Sequence, residues 1–474
     1  MDTKKLRQKI LDLAIHGKLV PQDPNDEPAS VLLERIRAEK EKLIKEGKIK
    51  APKKGKSAGD TSHYGKEGPW ELPEGWVWCH LSELASFAGG KTPSMENKSF
   101  WENGTNLWIT SKDMKTPCLY DSQMKISDLA LQEMTVFYPG SILMVNRSGI
   151  LRRMLPLAIL KKEATINQDI KAIVPYLPEI YPYLYYAILA QEAYILSEYK
   201  KAGTTVDNIN FDKFISLSIP LPPLKEQFCI VNAIAQLYSL LERIDSCKVE
   251  LNQSFDAAKA KVLDLAIHGK LVSQDSSDEP AIELLKRINP AFKPSDNLHY
   301  EGVVPKGWQL CYLSDIFDIT MGQSPDGNSF HHTEGVEFHQ GKICFTQKYL
   351  AKSDVFTSAP NKYATSNSLL CCVRAPVGVF NITTRKICIG RGLCAITPRL
   401  EGINLDYWFY ALSSYRDYYE SKATGTTFKA ISGDVIRKTV VLLPPILEQR
   451  RILYKITELF TIFDQISNSI NGSE

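Results

Sequence analysis

Apolar residues recur at steps of three and four between positions 230 and 265, which is the spacing of a coiled-coil helix. Only Lys248 interrupts the series. A Pro-Pro pair precedes the stretch and Gly269 follows it, as expected at the start and the end of a helix. We therefore predict one helix over 224–268, roughly 65 Å long. The expected packing positions are Ile230, Ile234, Leu237, Leu241, Ile244, Leu251, Phe255, Ala258, Val262 and Leu265.

The same pattern returns in two parts at the ends of the chain. The C-terminal segment repeats its first half after 222 residues, and the N-terminal segment repeats its second half, since LDLAIHGKLV stands both at 11–20 and at 263–272. On these offsets Met1 follows Glu474 without a gap, so we expect the two ends to meet and to complete a second helix, antiparallel to the first. A tandem duplication with free ends is the alternative, and it would expose an apolar seam. The expected packing positions are Leu6, Ile10 and Leu13 at one end and Ile452, Ile456, Leu459, Phe463, Ile466 and Ile470 at the other.

Shorter repeats extend the duplication through the rest of the chain. PEGW returns as PKGW, GKTP as GQSP, AGTT as TGTT, and IPLPPLKEQ as VLLPPILEQ. Short β-rich runs and aromatic helical stretches lie between these motifs. We therefore predict an α+β protein in which two mixed α/β domains, related by a pseudo-twofold axis, are separated by an antiparallel pair of long helices. The expected segments are an N-terminal helical segment (1–39), a basic linker (40–65), a first domain (66–219), a central helix with a helical linker (220–290), a second domain (291–440) and a C-terminal helix (441–474).

Composition narrows the class of protein. The chain has 474 residues, 44% of them hydrophobic and 23% charged, and no apolar run approaches the roughly 18 to 20 residues of a membrane span. The N-terminus lacks the apolar core of a secretory signal, so we expect a cytoplasmic protein with ten reduced cysteines. The net charge of +3 does not by itself indicate nucleic acid. Residues 40–56 carry eight lysines and two glutamates, which favours a solvated linker, with contact to a polyanion as the alternative.

No catalytic set emerges from the motifs. The GGKTP and GKSAG stretches lack the first glycine of a phosphate loop, because Ala85 and Lys50 occupy that position. Leucine precedes both Pro-Pro pairs, where a DNA amino-methyltransferase has an acidic or amide residue, and no glycine-rich cofactor loop follows a strand. We expect no metal site and no cofactor on this chain. The histidines are expected to be surface or packing residues: His331, His332 and His339 in a loop, and His16 and His268 at repeated helix ends.

Candidates for nucleic-acid contact are more numerous. Arginine, lysine and small polar donors hold phosphates, while arginine, asparagine and glutamine read base edges. Turns explain the glycines around these residues equally well. The first-domain candidates are Lys91, Asn146, Arg147, Ser148, Arg152, Arg153, Asn167, Gln168, Lys171, Lys200, Lys201, Thr204 and Thr205. The second-domain candidates are Gln323, Gln340, Arg374, Arg391, Lys422, Thr426, Thr427 and Lys429.

Taken together, the motifs resemble the specificity subunit of type I DNA restriction and modification systems. The two P-x-G-W, G-x-[TS]-P, G-T-T and L-P-P-x-x-E-Q sets carry the resemblance, with RSGILRR and NQDIK in one half and VRAPVG and IGRGL in the other. The resemblance covers nearly the whole chain, although the basic stretch 40–56 matches no motif of the family.

The resemblance implies a non-catalytic subunit with two target-recognition domains. Each domain would read one half of a split, asymmetric sequence in double-stranded DNA, and the helices would set the spacer. Two methyltransferase subunits using S-adenosylmethionine would dock and flip adenine. Two restriction subunits using ATP and Mg would join them. The alternatives are a two-domain protein-binding scaffold without DNA specificity and a self-contained restriction enzyme, against which the missing catalytic motifs count.

Overall fold

The computed structural model describes residues 2–49, 68–203, 206–294, 298, 300, 302–425 and 429–471. The chain divides into two compact units, residues 1–246 and 247–474, and the boundary lies inside the longest helix. The predicted neighbours Met1 and Glu474 lie outside the described residues. Within the described part of the chain, no helix is long and apolar enough to cross a bilayer.

Unit 1 combines helices with three small sheets and one strand pair. Its helices are α1 (Thr3–Ile15), α2 (Ala29–Lys45), α3 (Leu81–Leu84), α4 (Asp128–Leu131), α5 (Tyr181–Ala190), α6 (Glu192–Glu198), α7 (Phe211–Phe214) and the first part of α8 (Leu224–Ile267). Its strands are β1 (Val77–His80), β2 (Ala85–Gly89), β3 (Asn106–Ile109), β4 (Cys118–Leu119), β5 (Met124–Ile126), β6 (Ile142–Val145), β7 (Arg147–Ser148), β8 (Leu157–Leu160), β9 (Ala164–Ile166), β10 (Ile170–Pro175), β11 (Lys200–Lys201), β12 (Asp207–Ile209) and β13 (Ser218–Leu221).

A five-stranded sheet in the order β2-β10-β6-β8-β4 lies at the centre of unit 1. Its strand β6 is buried at every position, because successive side chains point to opposite faces and both faces are covered. Ile142 and Met144 pack in the core that includes α5, whereas Leu143 and Val145 pack with β3 and β9 of the sheet β5-β3-β9. The remaining elements form the sheet β11-β12-β7 and the pair β1-β13.

Unit 2 repeats this plan. Its helices are the rest of α8, α9 (Ala281–Ile288), α10 (Leu313–Ile316), α11 (Leu405–Ser413), α12 (Arg416–Lys422), α13 (Gly433–Arg437) and α14 (Ile446–Asn471). Its strands are β14 (Gln309–Tyr312), β15 (Phe317–Met321), β16 (Phe330–His331), β17 (Val336–His339), β18 (Phe356–Thr357), β19 (Tyr363–Ala364), β20 (Ser368–Cys372), β21 (Phe380–Thr383), β22 (Ile387–Ile389), β23 (Leu393–Pro398) and β24 (Val440–Leu443).

The sheets of unit 2 have the orders β15-β23-β20-β21 and β16-β18-β17-β22-β19, beside the pair β14-β24. Strand β20 alternates as β6 does: Leu369 and Cys371 pack in the core that includes α11, and Leu370 and Cys372 pack in the core that includes β22. The duplicated sequence therefore encodes two copies of one layered core.

In each unit a terminal helix runs antiparallel to its part of α8. In unit 1, Arg7 on α1 forms an ion pair with Asp245 at 3.1 Å, and its carbonyl accepts a hydrogen bond from the Tyr238 hydroxyl at 3.4 Å. In unit 2, the rings of Phe463 on α14 and Phe255 are 5.8 Å apart. Further along, Lys259 pairs with Asp464 at 2.7 Å, and the Ser467 hydroxyl lies 3.2 Å from the Asn252 side-chain oxygen.

The expected packing positions of α8 are all buried or half-buried, and so are Ile452, Ile456, Leu459 and Phe463 on α14. Ile466 departs from the expectation with 41% exposure, because Ser467 occupies the position that faces Asn252. Leu6 is also exposed, and α1 instead buries its face with Leu11 and Ala14, since it packs against α5 as well as α8.

Candidate nucleic-acid interface

The sheet β11-β12-β7 brings together candidate residues from two distant parts of unit 1. Arg147 on β7 and Lys201 on β11 both lie opposite Asn208 of the central strand, and Ser148 lies opposite Asp207. The side chains of Arg147 and Lys201 are exposed. This three-stranded pairing, which we call the ladder, places one cation on each side of Asn208. Such a set of side chains can bind DNA phosphates and base edges.

A buried carboxylate organises the cations around this ladder. The Asp207 side chain is 7% exposed, and its oxygens lie 3.8 Å from Nε of Arg152 and 3.9 Å from Nζ of Lys200. The backbone N–H of Gly203 donates to the same carboxylate at 3.3 Å. Two cations around one buried anion leave positive charge in excess, so the carboxylate positions them without cancelling them.

A second group of candidates is attached to the ladder through Asp169. The Asp169 carbonyl accepts hydrogen bonds from the backbone N–H groups of Asn146 at 2.7 Å and Arg147 at 3.2 Å. The Asp169 N–H donates to the side chain of Asn167 at 3.2 Å. The exposed Gln168 between them is therefore held beside the start of β7.

The loop after β2 adds Lys91 to this group. Its backbone N–H donates to the carbonyl of Ile166 at 3.1 Å, and the Thr92 hydroxyl hydrogen-bonds to the Gln168 side chain. A Cβ placed on Gly90 would lie 1.8 Å from the Ile166 carbonyl oxygen, so only glycine permits this approach. The glycine of the GKTP motif thus places Lys91 and Gln168 side by side.

Unit 2 forms the corresponding strand pairing with different residues. Arg374 lies opposite Ala430, which also pairs with Thr424, and the N–H of Ala375 donates to the carbonyl of Lys429 at 3.1 Å. Arg374, Lys429 and Lys422, the last residue of α12, are exposed.

The second group of unit 2 surrounds the turn after β22. The backbone N–H of Gln323 donates to the carbonyl of Ile389 at 3.0 Å, and the N–H of Arg391 lies 3.4 Å from the Ser324 hydroxyl. A Cβ on Gly390 would lie 3.3 Å from the Gln340 Cβ, which brings Gln340 to the same turn. The side chains of Gln323, Gln340 and Arg391 are all exposed.

The two units use one set of backbone hydrogen bonds. Asn146 donates to Asp169 in unit 1, and Val373 donates to Gly392 at 3.0 Å in unit 2. On this register, structurally equivalent positions are Arg147 and Arg374, Lys91 and Gln323, and Gln168 and Arg391, while Thr424 stands where unit 1 has Lys201. The arginine of the ladder is thus shared by the two units, while the residues around the glycine loop, which is the loop at Gly90 in unit 1 and at Gly322 in unit 2, differ.

The sequence profile of the type I restriction modification DNA specificity domain matches residues 73–252 and 305–472. The chain belongs to this family. Each match contains one ladder and one glycine loop, and the two specificity domains therefore correspond to the two halves of the duplication.

Curated relatives agree with this assignment. The chain is 26% identical to the type I restriction enzyme EcoEI specificity subunit of Escherichia coli, over 99% of this chain and 91% of the relative. It is 29% identical to the EcoAI specificity subunit of Escherichia coli, over 67% of this chain and 63% of that relative.

Solved structures share the fold of the specificity domains. The HsdS subunit from Thermoanaerobacter tengcongensis aligns with a TM-score of 0.52 and 22% identity, over 86% of this chain and 94% of that one. A chain from a structure describing complex assembly and conformational transition of the type I R-M system aligns with a TM-score of 0.57 and 22% identity, over 85% and 94%.

Several candidates take other positions in the specificity domains. Asn167 is buried, and Lys171 is half-buried with its ammonium 5.3 Å from the centre of the Phe211 ring. Arg153 is exposed at the end of the short 3-10 helix Gly149–Arg152. The candidates Thr204, Thr205, Thr426 and Thr427 lie outside the described residues.

The prediction that His339 lies in a surface loop is wrong: it is the last residue of β17, is 3% exposed, and belongs to a buried charge cluster of unit 2. Its Nε2 lies 2.8 Å from the Glu337 carboxylate, and Arg385 donates to the same carboxylate from Nε at 2.6 Å and from Nη2 at 2.5 Å. Burial raises the pKa of Glu337, but the hydrogen bonds from Arg385, from the backbone of Ser353 and from His339 outweigh it and lower the pKa to about 2. The cluster fixes β17 and therefore the backbone that carries Gln340.

Sequence reasoning missed four residues beside these sites. Thr92 and Ser324 follow Lys91 and Gln323 at the third position of GKTP and GQSP, so the repeat itself carried a signal for them. Asn208 and Asp207 carried none, because their importance depends on strand pairing with residues about sixty positions away. The structure identifies them through the ladder.

Proposed function

We propose that this chain is the DNA-recognition subunit of a type I restriction and modification complex, with each specificity domain reading one half of a bipartite, asymmetric target. The observation that carries the proposal is the equivalence of Arg147 and Arg374, two exposed arginines at one position of a duplicated ladder. An arginine repeated in this way is what two domains need in order to engage two DNA half-sites alike. The proposed domains are residues 66–219 and 291–440.

The differences between the domains account for an asymmetric target. Lys91 and Gln168 of the first domain correspond to Gln323 and Arg391 of the second. Glutamine pairs with adenine and arginine with guanine in the major groove. Different side chains on an equivalent backbone would therefore read different bases, while the exposed cations around each ladder hold the phosphates.

The spacer between half-sites is proposed to depend on α8 and the two terminal helices. Helix α8 runs through 44 residues without interruption. In unit 1 it pairs with α1, and in unit 2 it pairs with α14, each time in antiparallel fashion. On this proposal the N- and C-terminal helices together complete a second helix beside α8, and the fixed length of both sets the number of unread base pairs.

The chemistry belongs to partner subunits on this proposal. The relatives are named specificity subunits, so this chain would select the DNA target sequence and would supply no catalytic residue. Two methyltransferase subunits would bring S-adenosylmethionine to the target adenines, and two restriction subunits would use ATP and Mg. One structural neighbour comes from work on assembly of the type I R-M system.

Mapping of methylated adenines tests the proposal. The chain is expressed together with its cognate methyltransferase subunit, and modified adenines are located at single-base resolution with and without this chain. A split motif that appears only when the chain is present supports the proposal. Methylation that is independent of the chain contradicts it.

Salt dependence separates DNA recognition from a protein-binding scaffold. A surface that neutralises several phosphates loses affinity steeply as salt rises, because bound counterions are released from the DNA. We expect the purified complex to bind target DNA with a clear negative slope of log affinity against log salt. A flat dependence favours the scaffold.

A further inference from the structure

Unit 1 contains a cavity of about 430 Å³ beside the first turn of α8, away from the ladder and the glycine loop. Carboxylates dominate the polar part of its wall, and Trp76 and Pro223 contribute apolar surface. None of the candidate DNA contacts lines it. The carboxylates are those of Asp23, Asp26, Glu74 and Glu226.

Asp26 contributes a largely covered carboxylate to this wall. Its side chain is 8% exposed, and within the described residues it accepts no hydrogen bond. Its one ion pair is with Nζ of Lys225 at 3.5 Å, and the Lys225 side chain is 81% exposed. An exposed lysine offsets little of the cost of burying a carboxylate.

Glu226 adds a second charge to the same wall. One of its oxygens accepts from the Gln22 side chain at 3.0 Å and the other from Nε1 of Trp76 at 2.9 Å. Both donors are neutral, so they orient the carboxylate and leave its charge in place. Burial raises the pKa of Glu226, and the nearby charge of Asp26 raises it further.

Unit 2 contains the same arrangement in a completed form. Glu448 accepts from Gln274 at 3.2 Å and from Trp308 at 2.9 Å, and Asp278 is the counterpart of Asp26. Here the Arg451 guanidinium binds Asp278 through both terminal nitrogens, Nη1 at 3.2 Å and Nη2 at 2.5 Å. Burial raises the pKa of Glu448, and Arg451 counteracts part of that rise.

Unit 1 lacks this arginine. The residue 222 positions before Arg451 is Cys229, which is exposed on α8. The duplication thus keeps the glutamine, the tryptophan and both carboxylates of the cradle, and it replaces the bidentate arginine with Lys225, which stands where unit 2 has Leu447. A bidentate guanidinium matches paired carboxylate oxygens better than the ammonium of Lys225 does.

We propose that the unit 1 cavity is a docking site for the guanidinium group of an arginine from a partner polypeptide, in the position that Arg451 takes in unit 2. On binding, the guanidinium bonds the Asp26 carboxylate, and Lys225 is released into solvent. The site would secure a partner beside the start of α8 through one buried arginine, which is a common anchor of protein interfaces.

The test uses the full chain and the capped peptide acetyl-Gly-Arg-Gly-amide, titrated by calorimetry. We expect one site per chain with a dissociation constant on the order of 1 mM. The matched peptide with citrulline, which has the same shape and no charge, should bind at least tenfold more weakly, and so should the lysine peptide. Equal binding of the citrulline peptide contradicts the proposal.

Variants of the chain place the site. Cys229→Arg should fill the cavity from within and abolish peptide binding, while Cys229→Ala should bind as the wild type does. Asp26→Asn should weaken binding at least tenfold, and circular dichroism checks that each variant is folded. If a folded Cys229→Arg or Asp26→Asn chain binds like the wild type, the proposal is overturned.

One further variant and one further ligand test where the peptide binds and what kind of ligand the site takes. Arg451→Cys opens the equivalent cradle in unit 2 and should raise the stoichiometry from one peptide to two. Free L-arginine, whose own carboxylate is repelled by the acidic wall, should bind more weakly than the capped peptide if the natural ligand is a polypeptide. Stronger binding of free L-arginine overturns the assignment to a partner polypeptide.

Discussion

Arg147 and Arg374 stand at the same position of a duplicated strand ladder, Arg147 opposite Asn208 and Arg374 opposite Ala430. Each arginine follows a fully buried strand, β6 or β20, whose two faces are packed into separate cores. The backbone that carries each arginine is therefore rigid, while its side chain is exposed. A functional side chain on a rigid support loses little conformational freedom when it binds.

The first prediction follows from this equivalence. Arg147→Ala and Arg374→Ala should each weaken recognition of a different half of the target, because each removes a contact of one domain only. A cost of about 1–3 kcal/mol is expected for each arginine that reaches a base edge, and a smaller salt slope for each that holds a phosphate. The measurement is methylation of all half-site variants in a randomised target library.

Matched controls exist in the same repeats. Arg35 on α2 and Arg287 on α9 are equivalent arginines paired with Glu27 and Glu279, and neither belongs to a ladder. Their alanine variants should leave the methylation pattern unchanged. If Arg147→Ala and Arg374→Ala also left every site methylated as before, the proposed contact residues would be wrong.

The helix packing yields a second prediction. Phe463 on α14 faces Phe255 on α8, whereas Ile466 is 41% exposed. Phe463→Ala should lower the free energy of unfolding of unit 2 by about 2 kcal/mol, since it removes half-buried apolar area and an aromatic contact. Ile466→Ala should cost less than about 1 kcal/mol. Urea unfolding measures the loss of stability in both variants. A larger loss in Ile466→Ala than in Phe463→Ala would show that Ile466 lies in the stripe of α14 that packs on α8.

The same region shows what sequence reasoning achieves and where it stops. The apolar period and the flanking Pro-Pro and glycine signals predict a helix over 224–268, and the structure has it over Leu224–Ile267, because these signals are local. The sequence does not predict that Ser467, and not Ile466, lies in the packed stripe of α14. That placement depends on which side chain meets Asn252 of another helix, more than two hundred positions away.

The candidate interface shows the same contrast between what residue type predicts and what only the folded structure determines. Residue type and the repeats predict exposed cations such as Arg147, Arg374 and Arg391, and the structure places all three at the surface. Asn167 and Lys171 satisfy the same criteria and are buried or half-buried, because pairing in the folded sheet decides exposure. Asp207, which gathers Arg152 and Lys200, reads as an ordinary loop carboxylate until β12 is paired with β7.

A third prediction concerns pH and the buried cluster of unit 2. The pKa of Glu337 is lowered to about 2 in the folded chain, below the ordinary value near 4.5 that it has when unfolded. The stability contributed by ionised Glu337 is therefore fully present above that ordinary value and is lost as the pH falls through about 2. We expect the free energy of unfolding of the wild type to exceed that of Glu337→Gln by about 1–2 kcal/mol at neutral pH. This difference should narrow steadily below pH 4.5.

Urea unfolding of both chains between pH 7 and pH 3 checks this expectation. The exposed residue Glu401 supplies the control, since Glu401→Gln should track the wild type at each pH. Because Gln340 follows β17 directly, Glu337→Gln should also disturb recognition of the half-site that we propose the second domain reads. A gap that stayed constant from pH 7 to pH 3 would mean that Arg385 and His339 do not stabilise the carboxylate as the geometry indicates.

The last prediction tests the proposed role of the helices as the spacer. Insertion of one heptad into α8, together with one heptad at the equivalent place in the terminal pair, keeps each apolar stripe in phase because seven residues make almost two full turns. It lengthens the helices by about 10 Å. At about 3.4 Å per base pair, the methylated motif should retain both half-sites and gain about three unread base pairs. An insertion of two residues at each place is the matched control, because it rotates each apolar stripe by about 200° to the opposite face of its helix and should abolish methylation. Half-sites that kept their original separation in the heptad variant would show that something other than α8 and its terminal partners fixes the distance between them.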